Sequence, residues 1–268
     1  MRRVLVFFCV ISSWASLNAQ EENWNSYLAQ YENGAGTVLL DMNLISVAPI
    51  EKLPIVLITG VKFNKCDEDG FPVEDEFDRL YSVSDKVVEL VQNLTGSKLA
   101  GSFTYQCERL DYIYVSDTSG LREGLTRLYE SDLKEYQPYI NIRLDEEWLA
   151  YRSFLYPNEE TQEYMANQSV LFQLQSNGDN LTKSRKVDHY AYFNNSSSRE
   201  SFMAYVKGDG YVIDDVFTSE NPALRFGLHF SKNQNVQLDE ISAITMALRN
   251  KAKEVGGEYD GWETIVIR

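Results

Sequence analysis

The sequence predicts an α+β protein of two tandem β-α-β-β-α-β domains, each an antiparallel sheet with helices on one face. Three observations lead there. Apolar residues alternate at period two in a series of short runs and recur at helical spacing in the segments between them. The order strand-helix-strand-strand-helix-strand occurs from residue 55 to 144 and again from 187 to 267. A polar stretch at 176–186, with Gly178 inside it, separates the two series.

The chain opens on Arg2 and Arg3, followed by an apolar run from Val4 to Ala15 and the small or neutral residues Ser16-Leu17-Asn18-Ala19. This is the layout of a secretory signal peptide over residues 1–19, cleaved after Ala19. The run is shorter than the ~20 residues a spanning helix needs. Residues 20–158 form the expected N-terminal domain. Residues 24–31 are amphipathic and are expected as a short helix, and 37–44 as a strand. Ile55, Leu57, Val61 and Phe63 share one face of a strand at 55–63. After a polar turn at 66–72, Phe77, Leu80, Val87, Val91 and Leu94 make one apolar stripe of a helix at 74–94. Strands at 99–106 and 110–115 flank a tight turn at Cys107-Glu108-Arg109. Leu121, Leu125 and Leu128 mark a second helix, and Ile140, Ile142 and Leu144 line a closing strand at 139–144.

Residues 159–186 are expected as a connecting helix followed by a linker, and residues 187–268 as a second domain. It begins with a strand at 187–193. Ser197 and Glu200 fit a capping box, Phe202 and Val206 face inward, and Gly208 and Gly210 end that helix. Strands at 211–218 and 224–230 form a hairpin across Asn221-Pro222. Ile241, Ile244, Leu248, Ala252 and Val255 line a long helix stopped by Gly256-Gly257, and 262–267 is the last strand. Both series match the split βαβ plan of ferredoxin-like folds.

Composition limits the partners. Losing Arg2 and Arg3 with the leader takes the formal net charge from −15 to −17. So acidic a surface repels nucleic-acid phosphates and anionic lipids, and it suits a basic partner. No later stretch is long and apolar enough to span a membrane. Cleavage leaves Cys66 and Cys107, an even pair that in an oxidising compartment is either a disulfide or two free thiols. In the ferredoxin-like order the two cysteines follow strand ends at the same edge of the sheet, which favours the bond. It would close a loop of about 40 residues and contribute about 3–4 kcal/mol by the chain-entropy argument.

The run Glu258-Tyr259-Asp260-Gly261-Trp262-Glu263-Thr264 after a Gly-capped helix resembles the end of the ribonuclease E inhibitor B family (RraB). The tract Asp188-His189-Tyr190-Ala191-Tyr192-Phe193 is similar to that family's opening strand. The resemblance implies a ferredoxin-like domain that binds a protein and performs no chemistry. The first domain resembles an uncharacterised bacterial family often found beside such domains. It does so through Asp69-Gly70-Phe71-Pro72 with Glu74 and Glu76, the hairpin at 104–114, Asp145-Glu146-Glu147-Trp148, Tyr151 and Leu155-Tyr156-Pro157. That resemblance brings no activity. Ribonuclease E is cytoplasmic and this chain carries an export signal, so inhibition of that enzyme is not carried over.

His189 and His229 are the only histidines, too few for an ordinary zinc site. On an open sheet face His229 is expected to meet His189 across the first strand. Asp67-Glu68-Asp69-Gly70 with Glu74 and Glu76 offers oxygens for calcium but lacks the EF-hand spacing, and a glycine turn before an acidic helix start explains it. Asp214 and Asp215 are adjacent on a strand and should point to opposite faces. Asp260-Gly261 reads as a turn that aims Trp262 at its strand. Tyrosine is common, at 17 residues, and Tyr190 with Tyr192, like Tyr112 with Tyr114, shares a face. Tyr190, Tyr192, His189, His229, Tyr259, Asp260, Trp262 and Trp148 are therefore the candidate binding residues. No catalytic set, metal site or cofactor is assigned.

The function expected is a periplasmic or secreted non-catalytic binding protein with a protein partner. The alternatives are a metal-dependent hydrolase in a cleft between the domains, and a glycan or small-molecule binder using the tyrosine-rich faces.

Overall fold

The structure, a computed structural model, describes residues 22–268. The leader read at residues 1–19 lies outside the described residues. The chain divides between Tyr156 and Pro157 into two compact units, and both are mixed α+β units built on antiparallel sheets.

The first unit is a six-stranded sheet. Its elements are β1 (Trp24–Tyr31), β2 (Gly34–Asp41), β3 (Ile55–Lys62), α1 (Glu74–Leu94), β4 (Ser97–Tyr105), β5 (Glu108–Val115), α2 (Leu121–Asp132) and β6 (Gln137–Leu144). The strand order is β1-β2-β4-β5-β3-β6, and all neighbours run antiparallel. The last four strands of that order form the ferredoxin-like core. The stretch expected as a helix at 24–31 is instead β1, an added edge strand. Tyr27, Ala29 and Tyr31 are its half-buried positions, which is period two. The following Asn33-Gly34 is a hairpin signal, and Tyr31 opposes Gly34 across a two-residue turn.

Helices α1 and α2 lie on one face of this sheet. Leu80, Val83, Val87 and Val91 of α1 pack with Leu121, Leu125 and Tyr129 of α2 over Leu57, Val61, Ile113 and Val115. The buried stripe of α1 passes through Val83 and Ser84, so Phe77 and Leu94, expected on it, stay exposed at its flanks. The second face is covered too. A π-helical turn (Ala150–Leu155) and the chain around Leu44 close over Val38, Leu40, Val56, Ile58, Tyr112 and Tyr114. Asp145 anchors that cover: its carboxylate accepts from the amides of Leu149 and Ala150 and from the Tyr114 hydroxyl.

The second unit comprises α3 (Glu159–Ser176), β7 (Arg185–Phe193), α4 (Ser196–Gly208), β8 (Val212–Thr218), β9 (Phe226–Gln234), α5 (Leu238–Glu254) and β10 (Gly257–Thr264). The sheet order is β10-β7-β9-β8, all antiparallel, again the ferredoxin-like arrangement. The start of α4 differs from the expected capping box: Asn195 is the cap, its Oδ1 accepting from the Ser198 amide at 2.8 Å. Helix α3 packs on α5, and Leu171 and Leu174 join Val187, Val236 and Ile241 in one apolar cluster. The polar stretch before β7 is pinned. The buried side chains of Arg185 and Asp179 pair at 2.5 Å, Arg185 also donates to the Asn180 carbonyl at 2.6 Å, and Asp179 accepts from the Ile267 amide at 2.6 Å.

Candidate functional site

Strand β7 divides its residues between two environments. Val187, His189, Ala191 and Phe193 are fully buried beneath the helices, while Asp188, Tyr190 and Tyr192 are half-buried and Lys186 is exposed on the opposite face. Residues paired across antiparallel strands share a face. The register sets His189 against Phe230, and His229 against Tyr190. The two histidines therefore lie on opposite faces and do not meet as expected; an offset of one residue exchanges faces.

His189 belongs to the core. Its ring stacks on Phe230 at 5.3 Å and Tyr211 meets it edge-on at 5.5 Å. Nδ1 lies 2.8 Å from the Tyr259 hydroxyl. Burial pushes its pKa down to about 4, so the imidazole is neutral. Tyr259, likewise buried, supports His189 rather than facing outward.

The open face carries charges and rings. His229 Nε2 is 2.7 Å from Asp188 Oδ1. The Lys186 ammonium lies 2.7 Å from Asp188 and 3.1 Å from Asp214. A bulge between Ile213 and Asp215 brings the Asp214 carboxylate to this face, while the register sets Asp215 opposite His229. The expectation that the two aspartates point to opposite faces thus fails, because a bulge interrupts strand alternation. Burial works against the charged form of Asp188, but hydrogen bonds from Lys186 and His229 more than offset it and hold the carboxyl below its ordinary range. Hydrogen bonds to Asp188 and Asp214 push the Lys186 pKa up. Asp188, Asp214 and His229 present ligand atoms within 4.8 Å of one another, the one such group among the described residues. The Lys186 ammonium already supplies the positive charge there.

Beside this cluster the Tyr190 ring stacks on His229 at 4.8 Å and 10°. Its hydroxyl donates to Glu263 Oε1 at 2.7 Å, and this bond, with some burial, raises the Tyr190 pKa to about 12. Tyr192 meets Phe217 edge-on at 5.9 Å. Phe217 lies flat over Gly227, where a β-carbon would come within 2.4 Å of the ring.

A second bulge, between Tyr259 and Gly261 in β10, sets Gly261 opposite Tyr190 with φ +143°. The Asp260-Gly261 pair is therefore a bulge inside the strand, not a turn ahead of it. A groove of about 380 Å³ runs over the bulge, lined by Tyr190, Tyr192, Asp260, Gly261, Trp262 and Glu263. The Trp262 indole is half-buried and donates to Asn167 Oδ1 at 2.7 Å, and Asn167 in turn donates to Ser242 and Thr245 of α5. Trp262 thus ties α3, α5 and β10 together at the groove's border.

The remaining candidates lie in the first unit. Trp148 is fully buried and stacked on Tyr114 at 3.7 Å and 6°, with its Nε1 donating to the Leu53 carbonyl at 2.9 Å. It is a packing residue of the sheet cover and not a surface residue. Cys66 and Cys107 form a disulfide with a Cα–Cα distance of 5.8 Å. Cys107 ends a two-residue hairpin turn in which Gln106 and Cys107 both have positive φ. The Cys107 amide donates to the Gly70 carbonyl, and its carbonyl accepts from the Phe63 amide. In the acidic turn Asp67 Oδ1 accepts from the amides of Asp69 and Phe71. Glu76 is buried under the Tyr136 hydroxyl. These oxygens organise backbone and core separately.

Sequence reasoning passed over Lys186 and Phe217, and it left Asp188, Asp214 and Glu263 out of the candidate binding residues. Lys186 and Asp188 were legible, since they share the parity of Tyr190 and Tyr192. Asp214 and Phe217 depend on a bulge and a cross-strand register that no periodicity reveals.

Residues 165–264 match the family model described as Regulator of ribonuclease activity B. Residues 22–156 match that of a family of unknown function, DUF695. No curated protein matches the chain. Among solved structures, one described as a "putative glycine cleavage system transcriptional repressor" is similar at 11% identity over 79% of this chain and 98% of that one, with a TM-score of 0.21.

Proposed function

The chain belongs, through residues 22–156, to the family of unknown function DUF695, and from that premise we propose that it is an exported, non-catalytic regulator that binds another protein through the open face of its second sheet. The match of residues 165–264 to a regulator of ribonuclease activity supports regulation by binding. The ribonuclease itself is not taken over, because residues 1–19 read as a secretory leader. The disulfide suits an oxidising compartment, and no helix among the described residues is long and apolar enough to cross a membrane.

The observation that carries the proposal is the face made by Tyr190, Tyr192, Phe217 and His229 with the carboxylates around them. The helices of its own unit pack on the opposite side, against Ala191, Phe193, Leu228 and Phe230. Tyrosines with a polar rim are the composition of a protein-binding surface. A photo-crosslinking residue placed at Tyr192 in the native host tests this. The expected result is a discrete cross-linked protein that is absent when the same residue replaces Glu130 of the first unit. Equal labelling from both positions, or turnover of a substrate by the purified chain, overturns it. Mass spectrometry of the protein recovered from the host should give Gln20 as the first residue.

A further inference from the structure

We propose that the groove over the β10 bulge is a slot for an arginine side chain of the partner protein, its guanidinium lying against Tyr190 and Tyr192 and held by the carboxylates of Asp260 and Glu263. The inference rests on the docking reading above and names the chemistry that the face selects.

The slot exists because of the bulge. Opposite Tyr190 the chain places Gly261, at a φ of +143° that side-chain-bearing residues rarely adopt, and nothing lies within 4 Å of where its β-carbon would stand. The gap uncovers the Tyr190 and Tyr192 side of β7. The extra residue of the bulge, Asp260, and the residue beyond Trp262, Glu263, supply the carboxylates of the lining. The Asp260 carboxylate makes no hydrogen bond or ion pair with any described residue. Glu263 receives one bond, from the Tyr190 hydroxyl, and this leaves its second oxygen as an acceptor.

The neighbouring part of the same face shows what such carboxylates take. Between Asp188 and Asp214 the chain inserts its own Lys186 ammonium. On the β10 side no lysine or arginine pairs with Asp260 or Glu263 among the described residues; Glu258, opposite Tyr192, lies in the neighbouring pocket with Arg249 and Lys253, whose charges are taken by Glu163 and Glu159. Rings flanked by carboxylates favour a planar cation, which stacks and makes directed bonds at once; a lysine ammonium is compact and more strongly hydrated. The same carboxylates repel phosphates and acidic peptides. The chain's net charge of −15 draws basic segments toward it.

Calorimetric titration of the full chain with blocked hexa-arginine, hexalysine and hexaglutamate peptides tests the slot. Hexa-arginine should bind several-fold more tightly than hexalysine, less so as salt is raised, and hexaglutamate should not bind. Asp260→Asn and Glu263→Gln should each weaken hexa-arginine about three- to fivefold, as expected for exposed charge contacts. Glu123→Gln and Glu130→Gln on the first unit should leave it unchanged. Near-ultraviolet circular dichroism establishes that each variant is folded. Equal affinity for arginine and lysine peptides overturns the slot, as does indifference to Asp260→Asn and Glu263→Gln. A partner cross-linked at Tyr192 whose binding survives both substitutions leaves the docking face standing and removes the arginine slot. Absence of any cross-linked protein from position 192 in a chain with Asp260 and Glu263 intact removes the docking face itself.

Discussion

The two histidines show how one residue of register decides a role. His189 is buried and neutral, with a pKa near 4, whereas its cross-strand neighbour position puts His229 on the open face. A folded-state value below the ordinary 6.5 means that the unfolded chain takes up the proton first as pH falls. The contribution of His189 is complete above about pH 6.5 and is lost from there down to about pH 4, at up to about 1.4 kcal/mol per pH unit. Urea unfolding of the second unit at pH 7 and pH 5 should show this loss, and His189→Gln should flatten it. The sequence showed that Tyr190 and Tyr192 share a face. It did not show which face the helices cover, so His189 and Tyr259 were grouped with residues that they support from beneath. Trp148 was counted among the candidate binding residues, and only the tertiary stack on Tyr114 reveals it as core.

At the scale of elements, long periodic segments were legible and short ones were not. Helix α1 lies where its apolar stripe placed it, because 21 residues hold several turns of the pattern. Strand β1 has eight residues with few apolar positions, which helix and strand periods fit about equally well, and the hairpin turn decides between them. Bulges in β8 and β10 escaped notice because alternation contains no signal for an inserted residue. The segment ahead of β7 reads as a linker by composition, yet the pair of Asp179 and Arg185 holds it with side chains that are 0% and 1% exposed. The hydrogen bond from Arg185 keeps the Asp179 carboxyl below its usual range despite burial. Asp179→Ala leaves a buried guanidinium without its counter-ion, and should cost about 3–5 kcal/mol in chemical denaturation of the second unit. Asp179→Asn, which keeps a hydrogen-bond acceptor, should cost less.

For the whole molecule, the repeated strand-helix order was enough to read two ferredoxin-like units and their antiparallel sheets. It did not reveal the added β1-β2 hairpin or the second cover of the first sheet, which are built from irregular chain. The disulfide belongs to the first unit alone and closes a loop with a sequence separation of 41 residues. By loop-closure entropy its reduction should lower the stability of that unit by about 4 kcal/mol. Tryptophan and tyrosine fluorescence of variants carrying a single unit's reporter should show one unfolding transition shift under reductant and the other stay in place.

The bulges have one more consequence. Strands β8 and β10 are the two margins of the second sheet, and each is broken by an inserted residue. An incoming extended chain needs a regular ladder of free amides and carbonyls to lengthen a sheet, and an interrupted margin offers a poor one. Such margins disfavour edge-to-edge pairing between copies of the unit, and a visitor to this sheet would be selected by its side groups rather than by backbone alone.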